Sequence, residues 1–192
     1  MKLSHVVPAL VSRGTLLLLS AALAGCGAIG GGGGDGSRAS SGGAAAVAIS
    51  PADQKMITDI AQANIAEIQT GRLALTKSQS PQVRAFAQKM IDDHTMAMQE
   101  LQRLAQSTGA SLPGDTDLLH KAIAAELGIL SGDTFDRQYM SQVGVTDHRR
   151  TQELLEQTAR SAGNPALRAY AQKMLPTVSR HLDQAQQQTG RQ

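Results

Sequence analysis

The sequence predicts an all-α protein, a four-helix bundle made of two helical hairpins joined by a long crossover that contains a short helix. Three observations predict it. From Ser80 to Leu104, Val83, Ala87, Met90, His94, Ala97, Leu101 and Leu104 recur in alternating steps of four and three, the seam of a helix buried in a left-handed bundle. Shifted by 84 residues the pattern returns: Asn164-Pro165 matches Ser80-Pro81, and Leu167 to Met174 matches Val83 to Met90 at six of eight positions. The repeated unit is a helix pair, because the same shift carried backward aligns Asn64 with His148 and Glu67 with Thr151. Finally, residues 109 to 131 are too long for a tight turn between adjacent helices and fit a crossover.

The elements follow in order. Lys2 and Arg13 precede the apolar run that leads to Leu23-Ala24-Gly25-Cys26, so residues 1–25 read as an export signal. The box resembles that of bacterial lipoproteins, whose cysteine is lipidated and becomes the mature N-terminus. Cys26 is therefore the expected lipidation site; as the only cysteine in the chain, it has no disulfide partner within it. Gly27 after the cysteine, by resemblance to Gram-negative sorting rules, points to an outer-membrane lipoprotein with its domain in the periplasm or at the surface. Residues 26–49 form the expected tether: nine of the nineteen glycines lie between 27 and 47, with too little apolar surface to offset ordering them.

The folded domain is expected over residues 50–188. Ser50-Pro51 opens the first helix, with serine as cap and proline at the first helical position. Ile57, Ile60, Asn64, Glu67, Gly71 and Ala74 keep the seam to about Lys77. The second helix runs from Pro81 to about Thr108, stopped by Gly109. A shorter amphipathic piece carries Leu118, Leu119, Ile123 and Leu127, closed by Ser131-Gly132. The third helix is expected from Asp133 or Thr134 to about Ala162, with Phe135, Tyr139, Val143, His148, Leu155 and Ala159 on or near one stripe. The fourth runs from Pro165 to about Gln188, through Pro176.

Loss of residues 1–25 would remove Lys2 and Arg13 from the 18 basic residues and none of the 16 acidic ones, leaving a formally neutral chain. Neutrality, together with two Phe, two Tyr and no Trp, argues against nucleic acid as a partner. The expected partners are the membrane, through the lipid, and proteins of the envelope. Nothing in the sequence sets an oligomeric state.

Polar residues on the seam carry the chemistry. Asn64, His94 and His148 each lie about fifteen residues, or ~22 Å, from the nearer tight turn, which puts them in one mid-bundle layer. If the crossover carries the chain back along the bundle, Glu67 and His181 fall on the same side of that layer, and Glu67, His94, His148 and His181 converge within ~5 Å along the axis. Three imidazoles and a carboxylate suit zinc, iron or copper, making a transition-metal ion the candidate cofactor. Asn64, Asp93 and Asp147 are candidates to hold the outer imidazole N–H groups. The competing reading is a hydrogen-bonded polar layer that fixes register. No catalytic residue is assigned. The Glu-x-x-His pairs of a di-iron oxidase are missing, since Ile91, Val145 and Val178 stand three residues before the histidines. Met90 and Met174, equivalent in the repeat, read as core, and Asp117-x-x-His120 as a solvated pair.

The segments AEIQTGRLAL, VRAFAQKMIDDH, Leu112-Pro113, LSGDTFDRQYM, VTDH and LRAYAQKMLPTVSRHL together resemble the bacterial "domain of unknown function 4142" family over about residues 50 to 186. The resemblance implies a ferritin-like four-helix bundle in predicted outer-membrane or secreted proteins. It also marks Asp93-His94, Asp147-His148 and His181 as the family's own pattern. It implies no reaction. A binding or stress-related structural role is placed ahead of catalysis, with a mid-bundle metal site as the alternative.

Overall fold

A computed structural model describes residues 49–190. The signal expected at 1–25, the lipidation site Cys26 and the tether up to residue 48 lie outside the described residues. Six α-helices follow: α1 Pro51–Lys77, α2 Pro81–Thr108, α3 Leu118–Ile129, α4 Gly132–Tyr139, α5 His148–Ser161 and α6 Pro165–Thr189. α4 and α5 are continuous through a π-helical segment, Met140–Asp147. The bundle's four rods are α1, α2, the α4–α5 rod and α6. Among the described residues no helix is long and apolar enough to cross a membrane.

Three of the four rods, α1, α2 and α6, start at a side-chain cap. Ser50 Oγ accepts from Asp53 N at 3.0 Å, Ser80 Oγ from Val83 N at 3.4 Å, and Asn164 Oδ1 from Ala166 N at 2.9 Å. Proline follows each cap, where its missing N–H costs no helical bond. α2 ends at Gly109, which takes the left-handed conformation (φ 74°) that favours glycine.

The crossover tracks α1 from its beginning to its end. Gln54 pairs with the backbone of Ser111, Thr116 donates to Gln62 O at 3.0 Å, and Lys77 donates to Gly128 O and Leu130 O. The chain thus returns to the α1–α2 turn before α4 starts. At the far end, the buried Asp53 carboxylate accepts from Gly163 N at 2.8 Å and Asn164 N at 2.9 Å, tying the α5–α6 turn to the start of α1. The two tight turns therefore lie at opposite ends of the bundle. This arrangement is what lets four rods bring their midpoints to one level.

Two apolar clusters occupy the two halves. Phe86, Met90, Phe135, Tyr139 and Met140 pack toward the α1–α2 turn, and Ile57, Ile60, Leu101, Leu155 and Tyr170 toward the α5–α6 turn. Between members of these clusters each rod places buried polar residues: Asn64 and Glu67 on α1, His94 on α2, His148 at the start of α5 and His181 on α6.

The π segment corrects the unbroken α-helix expected from residue 133 to 162. A π turn holds an extra residue, so the stripe steps by five from Val143 to His148 instead of four. Gly144 sits at its centre. A Cβ there would lie 2.9 Å from Ala185 Cβ, so the missing side chain is what admits α6 at this distance.

Candidate metal centre

His94, His148 and His181 come from three different rods and meet in the polar layer, with relative exposures of 4%, 1% and 1%. Their ring centroids stand 5.6, 5.6 and 5.4 Å apart. One ring nitrogen from each lies within 4.8 Å of one from each of the others.

The outer nitrogen of every ring is bonded to an acceptor, and that bond decides the tautomer. His148 Nδ1 is 2.9 Å from Val143 O, a carbonyl that can only accept, so Nδ1 carries the hydrogen. This contact reaches back five residues and exists because the π segment aims that carbonyl at the ring. His181 Nε2 donates to Asp93 Oδ2 at 2.7 Å. His94 Nδ1 is 2.9 Å from Asn64 Oδ1, and Asn64 is oriented by its own amide donating to Ile60 O at 2.8 Å, which leaves Oδ1 to accept from the ring. What remains is a lone pair on each of His94 Nε2, His148 Nε2 and His181 Nδ1. All three atoms are buried without a hydrogen-bond partner.

Burial keeps the rings neutral. It is the main cause holding His94 well below the usual imidazole range, with the neighbouring His148 and His181 adding to it. Burial also pushes His148 down to about 4, against the bond to Val143, which favours the charged form. His181 is lowered by burial, with Asp93 opposing. Glu67 moves the other way: burial, and then the charge of Asp147, raise its carboxyl well above the ordinary range.

The site expected from the sequence assembles in part. Asn64 and Asp93 do hold outer imidazole nitrogens, Asp93 that of His181 across the bundle rather than that of its neighbour His94. Asp147 does not. Its carboxylate accepts from Gln142 at 3.2 Å and Arg150 at 3.4 Å, because the π segment hands the His148 N–H to Val143 instead. Glu67 lies in the layer, but its Oε1 is 3.3 Å from His148 Nδ1, the outer nitrogen, so it backs the ring from behind. Glu67 Oε2 has no partner. Asp117, read as solvated, caps α3 and bonds His120 Nδ1 at 2.9 Å.

Residues 38–188 match the family model described as a domain of unknown function, DUF4142. The chain belongs to this family. Among solved structures, a DUF305 fragment from Deinococcus radiodurans is similar, with a TM-score of 0.67 and 15% identity, covering 76% of this chain and 99% of that one. At that identity the likeness is one of fold. No curated protein matches the chain.

The donor set can be tested against an ion. A tetrahedral zinc-type ion sits ~2.1 Å from each nitrogen, which places donors ~3.4 Å apart, so the rings need close by at most about 1.4 Å from their 4.8 Å limit. Neutral imidazole is the form that ligates, and all three are held neutral. Ligating histidines typically donate their other N–H to a carboxylate, a backbone carbonyl or another oxygen acceptor. Here Asp93, Val143 and Asn64 supply one such acceptor each. The residues fit a first-row transition-metal ion held by three histidines.

Proposed function

We propose that this bundle is a transition-metal-binding protein of the cell envelope, its ion held by His94 Nε2, His148 Nε2 and His181 Nδ1. The observation that carries the proposal is three buried lone pairs at one level of the bundle, each left over after the other nitrogen has met an acceptor. Lone pairs have no hydrogen to share with one another, so the rings cannot complete a hydrogen-bonded layer among themselves. A cation satisfies all three together. The centre is read as one for binding, since Ile91, Val145 and Val178 precede the histidines where a di-iron site would have carboxylates.

Elemental analysis of protein purified without a histidine tag, followed by titration with zinc, copper and iron, tests this. About one ion per chain is expected, and His94→Ala, His148→Ala and His181→Ala should each abolish it. Folded protein that takes up none of the three metals would refute the centre. The envelope location rests on the Leu23-Ala24-Gly25-Cys26 box alone. Lipid-modified Cys26 in membrane fractions, and release of the protein by Cys26→Ala, are expected; soluble, unmodified protein with its signal cleaved elsewhere would overturn that part.

A further inference from the structure

A cavity of about 30 Å³ adjoins the polar layer on the α2–α6 side. His94 and His181 form part of its wall and His148 does not, so the cavity opens on one side of the three nitrogens. By volume it takes about two water-sized units, a molecule of two or three heavy atoms. Much of its wall is apolar, from Ile60, Ala97, Leu155, Tyr170 and Val178.

The polar side chains around it are largely engaged elsewhere. Asn64 bonds His94 and Ile60 O, Tyr170 OH donates to Ala97 O at 3.2 Å, and Thr177 Oγ1 accepts from Arg180 at 2.9 Å. His94 Nε2 and His181 Nδ1, by contrast, have no partner. A guest in this space is therefore anchored chiefly through an ion on the histidines, with the Thr151 and Thr177 hydroxyls as the remaining polar groups of the wall. Outside it, a surface cleft of about 230 Å³ shares Asp93, Ala97, Met174 and Thr177 with the cavity, which supplies a route from solvent between α2 and α6. Three protein ligands leave a tetrahedral ion one position open, the arrangement of sites that take an exogenous ligand.

Building on the three-histidine centre, we propose that this cavity is the binding pocket for a small exogenous ligand of the bound metal, a lone-pair donor of two or three heavy atoms that reaches the ion from the α2–α6 cleft. The apolar wall favours a neutral molecule, or a monoanion whose charge the ion offsets.

The test uses cobalt(II) as the reporting metal and azide as the probe, on the full chain. Azide should change the visible cobalt spectrum saturably. Ala97→Leu fills the cavity from α2, and Thr177→Leu narrows it from the half-buried mouth on α6. Both should keep one cobalt per chain while the apparent azide Kd rises at least tenfold. Because Ala97 is buried and leucine there can unsettle packing, Thr177→Leu is the deciding variant if Ala97→Leu fails to fold. A cobalt-loaded wild-type protein that ignores azide, or a loaded Thr177→Leu protein that binds azide as the wild type does, overturns the pocket and leaves the centre standing. No cobalt uptake by the wild type overturns the centre, and the pocket with it.

Discussion

His181 Nε2 and Asp93 Oδ2 lie 2.7 Å apart, joining α6 to α2 across 88 residues of sequence. The same oxygen accepts from Lys89 Nζ at 2.8 Å. Burial disfavours the Asp93 carboxylate, but its bonds to Lys89 and His181 hold it ionised, below the usual aspartate range. A carboxylate can only accept, so His181 is locked with its lone pair on Nδ1, the nitrogen left free in the layer.

Asp93→Leu removes that lock while leaving the three ligating nitrogens in the chain. Metal affinity should fall by about 10- to 100-fold, as is usual when the partner of a ligating histidine is lost. Competition against a chelator of known affinity measures it. Unchanged affinity would mean that packing alone orients His181.

Gly144→Ala should destabilise the fold even though alanine is the better helix former. The added Cβ would lie 2.9 Å from Ala185 Cβ, an atom fixed to the α6 backbone that cannot swing aside. Forcing the helices apart is expected to cost about 1–3 kcal/mol, more than the roughly 1 kcal/mol of propensity gained. Urea unfolding of the metal-free protein reads the difference. A variant as stable as wild type would show that α6 yields at this contact.

The level of each polar residue was legible in the sequence because the 84-residue repeat and the length of 109–131 determine how far each stands from its turn. Orientation around the rod was not. Asp147 precedes His148 as Asp93 precedes His94, and the repeat offers no reason to treat the two pairs differently. The π segment rotates the third rod by a residue, giving the His148 N–H to a backbone carbonyl and sending Asp147 toward Gln142 and Arg150. The visible signal was the step of five from Val143 to His148 around Gly144, where the other seams step by three or four. Glu67 escaped for a related reason: height along the bundle says nothing about which side of the imidazole a carboxylate meets.

Acid should unfold the metal-free protein through its histidines. Above ~6.5 an imidazole is neutral both folded and unfolded, and pH has no leverage through these rings. Between that value and about 4, unfolded His148 takes up a proton that the folded ring refuses, so stability is lost as pH falls through this window. For His148 alone the loss is roughly 3 kcal/mol, and the lowered His94 and His181 act in the same direction. For the same reason metal should stay bound below ~6.5, where free imidazole already protonates, and leave only toward about 4. Urea midpoints from pH 4 to 7.5, with and without metal, check both outcomes. Because the raised Glu67 carboxyl acts in the opposite direction above 4.5, the deciding profile is that of metal-free Glu67→Gln, and a flat one there would contradict neutral buried rings.

Glu67→Gln separates the ligand set read from sequence from the one the geometry supports. Glu67 is 3% exposed, and its Oε1 meets His148 at Nδ1, the nitrogen opposite the free lone pair. If the three histidines alone hold the ion, glutamine in the same space keeps one metal per chain with affinity within about tenfold, where His148→Ala abolishes it. The same variant reports on the acid itself. Burial and Asp147 raise the Glu67 pKa, so the unfolded carboxyl loses its proton near 4.5 while the folded one keeps it. The stability tied to that proton is complete below 4.5 and declines as pH rises toward the folded value. Glutamine cannot ionise, so metal-free Glu67→Gln should gain on the wild type as pH rises above 4.5. Loss of metal in a folded Glu67→Gln protein would put the carboxylate back among the ligands, with His148 turning to bring it there.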